Sequence, residues 1–167
     1  DPPIASIGYQ ASIVITPQQE ADMDIKATLN NLLIPYTSNY AGTLLPGIRE
    51  YTVTPGEKTT TISGKGKAGL KQEENYYFFY LPVCYKGITG KSYAYYNTSR
   101  SKNLYLPASV DENYSYDIQL PENLTLCTPI QEKKIDNPIG SFKITLTSEG
   151  SSLHIELALQ IKKQLIT

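Results

Sequence analysis

With 167 residues and a formal charge of −1 from 15 basic and 16 acidic side chains, the chain is long enough for one domain with a proper hydrophobic core and short for two. Its charges are spread along the sequence, which leaves no basic stripe for nucleic acid and no patch for an anionic membrane. No run of about 18 apolar residues is present to span a bilayer.

Taken in chain order, Tyr9–Thr16 and Glu20–Leu29 predict a first strand pair across the short turn Pro17-Gln18-Gln19. In the second of these, Ala21, Met23, Ile25, Ala27 and Leu29 alternate with Asp22, Asp24, Lys26 and Thr28, so one face is apolar and the other polar. Residues 30–47 read as a loop whose Leu and Tyr content packs it on the domain. Arg49–Thr54 and Glu57–Gly64 predict a hairpin, with Pro55-Gly56 fitting a type II turn. Tyr76–Val83 (YYFFYLPV) is apolar in both phases and predicts a central strand buried on two sides. Ser92–Asn97 and Leu104–Pro107 are shorter candidates, followed by Tyr114–Leu120, Leu124–Thr128, Ser141–Thr147 and Ser152–Gln164. The last contains the clearest alternation in the chain: Leu153, Ile155, Leu157, Leu159 and Ile161 against His154, Glu156, Ala158 and Gln160. No window carries a helical period. Roughly ten short strands with turn signals between them predict an all-β, antiparallel β-sandwich, immunoglobulin-like or related, formed by residues 1–167 as a single domain. The abrupt Asp1-Pro2-Pro3 opening, without a charged and then apolar leader, and the strand-like end at Thr167 read as a mature or truncated segment of a larger protein.

Few constellations carry chemistry. Gly64-Lys-Gly66-Lys-Ala-Gly69 has the GxGxxG spacing of a phosphate cradle, but no helix opens after it and no βαβ unit surrounds it. A glycine-rich strand end or wide hairpin loop is the better reading. Cys84 and His154 are the one conceivable nucleophile and base. His154, however, falls on the polar phase of a long strand, and Cys84 follows a buried-looking run where cysteine is a small core residue. Two cysteines and one histidine at remote spacings lack the pattern of a zinc site. Cys84 and Cys127 allow one bridge without requiring it. The carboxylate pairs Asp22/Asp24, Glu73/Glu74 and Asp111/Glu112 read as solvated strand face and turns, not as a glycosidase pair. Sequons at Asn97, Asn113 and Asn123 say little in a Ser/Thr-rich chain. No catalytic residue, metal ligand or cofactor is therefore assigned.

Fourteen tyrosines against three Phe and no Trp are the compositional oddity. Tyr76, Tyr77, Tyr80, Tyr85, Tyr93, Tyr95 and Tyr96 cluster within a short stretch. Tyrosines stabilise sheets by pairing across strands, and they also dominate contact surfaces. These seven are the candidate binding residues.

From Arg100 onward the motif order is distinctive: Arg100-Ser-Lys-Asn-Leu104-Tyr-Leu-Pro107, Tyr114-Ser-Tyr-Asp-Ile-Gln-Leu-Pro121, Asn137-Pro-Ile-Gly140-Ser-Phe142, and the long final strand to Gln164. The last 65 residues or so resemble the DUF3858 C-terminal β-domain of bacterial DUF3857/transglutaminase-like proteins, notably of Bacteroidetes. Tyr9–Leu29 and Lys65–Pro82 are more loosely compatible with its upstream part. The resemblance implies export to the periplasm or cell envelope and packing on a papain-like Cys-His-Asp core. None of that triad maps onto this chain, because the family's nucleophile opens a helix. The expected function is a non-enzymatic accessory module that buries one face on such a core and contacts other envelope proteins. The alternative is an independent carbohydrate- or protein-binding surface module.

Overall fold

The computed structural model describes residues 19–30, 45, 47–84, 104–105, 110–127, 131–163 and 165–166. These are all-β, with no helix among them: β1 (Gln19–Asn30), β2 (Ile48–Pro55), β3 (Thr59–Glu73), β4 (Tyr76–Phe78), β5 (Leu104–Tyr105), β6 (Val110–Gln119), β7 (Gln131–Asp136), β8 (Gly140–Glu149), β9 (Ser152–Ile161) and β10 (Leu165–Ile166). One eight-stranded antiparallel sheet runs in the order β2-β3-β1-β6-β9-β8-β7, with β4 added to the end of β3. β5 and β10 form a separate two-stranded ladder.

The alternation read from sequence becomes rows across this sheet. Ile25 of β1 lies opposite Tyr116 of β6, which lies opposite Ile155 of β9, which lies opposite Leu146 of β8. The parallel row Met23, Ile118, Leu153 is buried throughout. Side chains one residue on in each strand point the other way, so Asp24, Asp117, His154 and Thr147 form a polar row on the opposite face. A sheet with one apolar face needs a second layer, because each buried aliphatic side chain contributes about 1.5–3 kcal/mol only when covered. Here the cover includes extended chain: Tyr77, Phe79, Leu81 and Val83 from one segment and Leu124 and Leu126 from another pack on the core. The result is an antiparallel, sandwich-like architecture.

The structure departs from expectation at several places. Tyr76–Val83 is not a central strand: only Tyr76–Phe78 pairs, and one of its two apolar phases faces solvent. Leu124–Cys127 forms no strand; it leaves a turn closed by the Leu124 amide on the Pro121 carbonyl (2.9 Å) and packs through alternate side chains. β7 carries no apolar pattern and was not expected, yet it pairs with β8 along its whole length as a sheet edge. Finally, Gly64 and Gly66 lie in mid-strand, neither at a strand end nor in a hairpin loop. β2 bulges between Ile48 and Glu50 and presses its backbone onto them, so a Cβ on Gly64 would meet Tyr51 Cα at 2.8 Å and one on Gly66 would meet the Gly47 carbonyl at 2.5 Å. The β2–β3 hairpin forms as expected, but Gly56 does not adopt the left-handed conformation of a type II turn; its amide donates to the Thr59 carbonyl instead. The tight β8–β9 turn does use a left-handed glycine, Gly150 (φ 59°). The expected strands Tyr9–Thr16 and Ser92–Asn97 lie outside the described residues, as does most of the expected loop at 30–47.

Candidate functional site

β3 reverses at Glu74-Asn75 into β4, with Lys71 opposite Phe78 and Glu73 opposite Tyr76. Strand periodicity then divides the aromatic run into two sets. Tyr77 and Phe79 turn inward, half-buried against the core. Tyr76, Phe78 and Tyr80 turn outward and are 54%, 51% and 91% exposed. Three large rings at alternate positions thus stand on one side of the chain.

Beyond Phe78 no described strand pairs with this segment, and two tyrosines of β6 hold it. The Tyr116 hydroxyl donates to the Pro82 carbonyl (2.8 Å). The Tyr114 hydroxyl accepts from the Cys84 amide (3.2 Å) and donates to the Glu112 carboxylate (2.9 Å). The rings of Tyr114 and Tyr116 lie nearly parallel, with centroids 6.2 Å apart. Burial, reinforced by the Glu112 carboxylate, pushes the Tyr116 hydroxyl far above its ordinary pKa, so it stays a donor. Beside the strip is an apolar hollow of about 360 Å³ lined by Leu70, Tyr77, Phe79, Leu124, Leu126 and Leu153, among others.

Of the seven candidate tyrosines, Tyr76 and Tyr80 lie on the outward side, while Tyr77 belongs to the packed side. Tyr85, Tyr93, Tyr95 and Tyr96 lie outside the described residues. Sequence reading missed Phe78, which shares the outward phase, and the anchoring role of Tyr114 and Tyr116. A signal existed: both occupy the apolar phase of β6 yet carry hydroxyls that burial obliges to find partners. Asp111/Glu112 is not a solvated turn pair either, since Glu112 lies in β6 and is buried.

The opposite face holds the lone histidine. His154 Nδ1 is 2.7 Å from Asp117 Oδ1 and Nε2 is 2.8 Å from Glu156 Oε1. A neutral imidazole donates from one nitrogen only, so carboxylates on both favour the imidazolium. Its pKa is raised, first by the bond to Asp117 and with a further contribution from Glu156, against the opposing effect of burial. Ser115 Oγ donates to the same Glu156 oxygen (3.1 Å). The site is a shallow groove of about 790 Å³ lined by Asp24, Lys65, Asp117, Gln119 and Ser152 among others. Cys84 lies in the core beneath the other face, so the sheet separates it from His154 and the two do not form a dyad. Cys84 is buried and Cys127 exposed, and no disulfide joins them. Among the described residues, no three His, Cys, Asp or Glu side chains are arranged to hold a metal ion, and no helix is long and apolar enough to cross a membrane.

No curated protein and no solved structure matches the chain. One family profile does, over residues 75–167, more than half of the sequence. The match starts at the turn before β4, well upstream of the motifs that begin at Arg100, and so takes in the whole aromatic strip. By this match the chain belongs to the DUF3858 family, a domain of unknown function.

Proposed function

We propose that this domain is a non-catalytic packing and recognition module that docks on a neighbouring protein domain through Tyr76, Phe78 and Tyr80. The observation that carries the reading is the division of one aromatic run into an inward anchoring set and an outward uncovered set. Exposed rings of this size cost solubility and are concentrated at contact surfaces, where aromatic side chains supply most of the binding energy. The anchors Tyr114 and Tyr116 hold the segment in place before contact, which lowers the ordering entropy that docking must overcome. The neighbour we assign is a transglutaminase-like core of the same exported, cell-envelope protein. That assignment is supported by the motif resemblance, and its consequence is that the module shapes the core's cleft while contributing no catalytic group.

The experiment is a pull-down of a separately produced transglutaminase-like core by the isolated 167-residue chain, with a glycan array run in parallel. The reading expects capture of the core by the native chain, loss of capture by the Tyr76→Ser/Phe78→Ser/Tyr80→Ser variant, and no glycan signal. Glycan binding that the triple substitution abolishes, without capture of the core, would replace it with the independent binding module.

A further inference from the structure

We infer that β6 is a strand-accepting edge of the family module, and that the three-stranded unit β2-β3-β1 is the dedicated partner that completes it. The family match begins at Asn75 and therefore omits β1, β2 and β3 altogether. In the sheet, however, β6 is internal: β9 covers one side and β1 the other. Without residues 19–73, the eight positions of β6 that face β1, from Glu112 to Gln119, would present an unpaired edge.

β6 is built as an interior strand. Its register with β1 is unbroken, and it contains neither proline nor bulge. Its side chains Tyr114, Tyr116 and Ile118 are almost completely buried. The true edges carry the devices that prevent unwanted pairing. β2 has a bulge and ends in Pro55. β7 offers the exposed charges Glu132, Lys133, Lys134 and Asp136. An edge of β6 left open would have neither proline nor bulge, and its charges, Asp111, Glu112 and Asp117, are all acidic and so suit a partner that brings a cation.

The seam is also specific to its occupant. Small Ala27 sits opposite large Tyr114, and Ile25 opposite Tyr116. On the polar face Asp24 lies directly opposite Asp117, a like-charge pair that would weaken any seam. Lys65 flanks Asp24 from β3 and His154 flanks Asp117 from β9, so each carboxylate of the pair has a basic side chain on its outer side. The cation beside Asp24 comes from the same unit that donates β1. The unit also supports the aromatic strip, because β4 pairs with β3 and with no other described strand. The partner that fits is thus an antiparallel strand with small and aliphatic side chains in one phase, delivered with its own flanking lysine.

The test uses the full chain with a specific protease site placed in the Glu74-Asn75 turn. After cleavage, the two pieces should elute together at micromolar concentration in native buffer. Once the pieces are separated in denaturant, the 75–167 piece alone should fail to unfold cooperatively as a monomer. Returning the 1–74 piece should restore cooperative unfolding, and Ile25→Asp in that piece should prevent it. A 75–167 piece that folds alone as a monomer, or that the 1–74 piece does not restore, would overturn the inference.

Discussion

Replacing the two anchoring tyrosines with phenylalanine removes the hydroxyls and keeps the rings, which isolates the hydrogen bonds under the aromatic strip. Tyr116→Phe deletes one bond to the Pro82 carbonyl in a partly buried setting. That loss is about 1 kcal/mol, rising toward about 3 kcal/mol if no water reaches the carbonyl. Tyr114→Phe removes an acceptor from the buried Cys84 amide and a donor from the buried Glu112 carboxylate. With one of the two bonds to a carboxylate, the expected loss is about 2–4 kcal/mol, a large share of a typical stability of about 5–15 kcal/mol. Both hydroxyls hold the same segment, so the double variant should lose less than the sum. Urea unfolding would read these values as a lower midpoint at constant slope. Native-state chymotrypsin digestion after Phe79 and Tyr80 would report local release, at about tenfold faster cleavage per 1.4 kcal/mol of local opening. Tyr114→Phe within about 0.5 kcal/mol of wild type, with unchanged cleavage, would refute the anchoring argument, since changes of that size are what uninvolved surface sites give.

Other outcomes follow from single features. Gly64→Ala drives a Cβ into the backbone of β2, where little can yield, and should destabilise by about 1–3 kcal/mol in thermal or urea unfolding; a neutral effect would mean that β2 does not pack there. Glu74 adopts φ 55° in the β3–β4 turn, so a β-branched Glu74→Val should cost about 1–2 kcal/mol whereas Glu74→Gly should be close to neutral. Equal losses for the two would argue against the left-handed turn. Since His154 is the chain's single histidine, NMR titration reads it directly, and its pKa should lie above the ordinary imidazole value and fall in Asp117→Asn. Because the folded value is the raised one, the stabilisation is present in full below the ordinary imidazole pKa and is lost as pH rises through the folded value. With the ring 43% exposed, the change in melting temperature should be small but of that sign.

How much could be read from sequence depended on whether burial left a mark on residue type. β1 and β9 alternate strictly and are legible for that reason, whereas β6 is legible only from Tyr114 onward, because Glu112 interrupts its apolar phase. Their order in the sheet was not, because β1 meets β6 across a long sequence separation that no local pattern encodes. β7 was invisible: Glu132 through Asp136 are all exposed, so an edge strand there has no apolar phase to detect. The aromatic run failed for the opposite reason. With apolar residues in both phases, Tyr77 and Phe79 could not be told from Tyr76, Phe78 and Tyr80 until a packed neighbour was in place on one side. His154 falls on the polar phase in the sequence and on the polar face in the structure, but its partner Asp117 is set by the β6–β9 register alone.

The most direct measurement of the central claim is a paired comparison of affinity and stability for Tyr80→Ser and Phe79→Ser, neighbours in sequence on opposite sides of the strip. The account predicts that Tyr80→Ser weakens binding to the adjoining domain at least tenfold and leaves the melting temperature unchanged. It predicts that Phe79→Ser lowers the melting temperature clearly, as removal of a partly buried aromatic ring should. A Tyr80→Ser variant that binds as tightly as wild type, or that loses as much stability as Phe79→Ser, would contradict it.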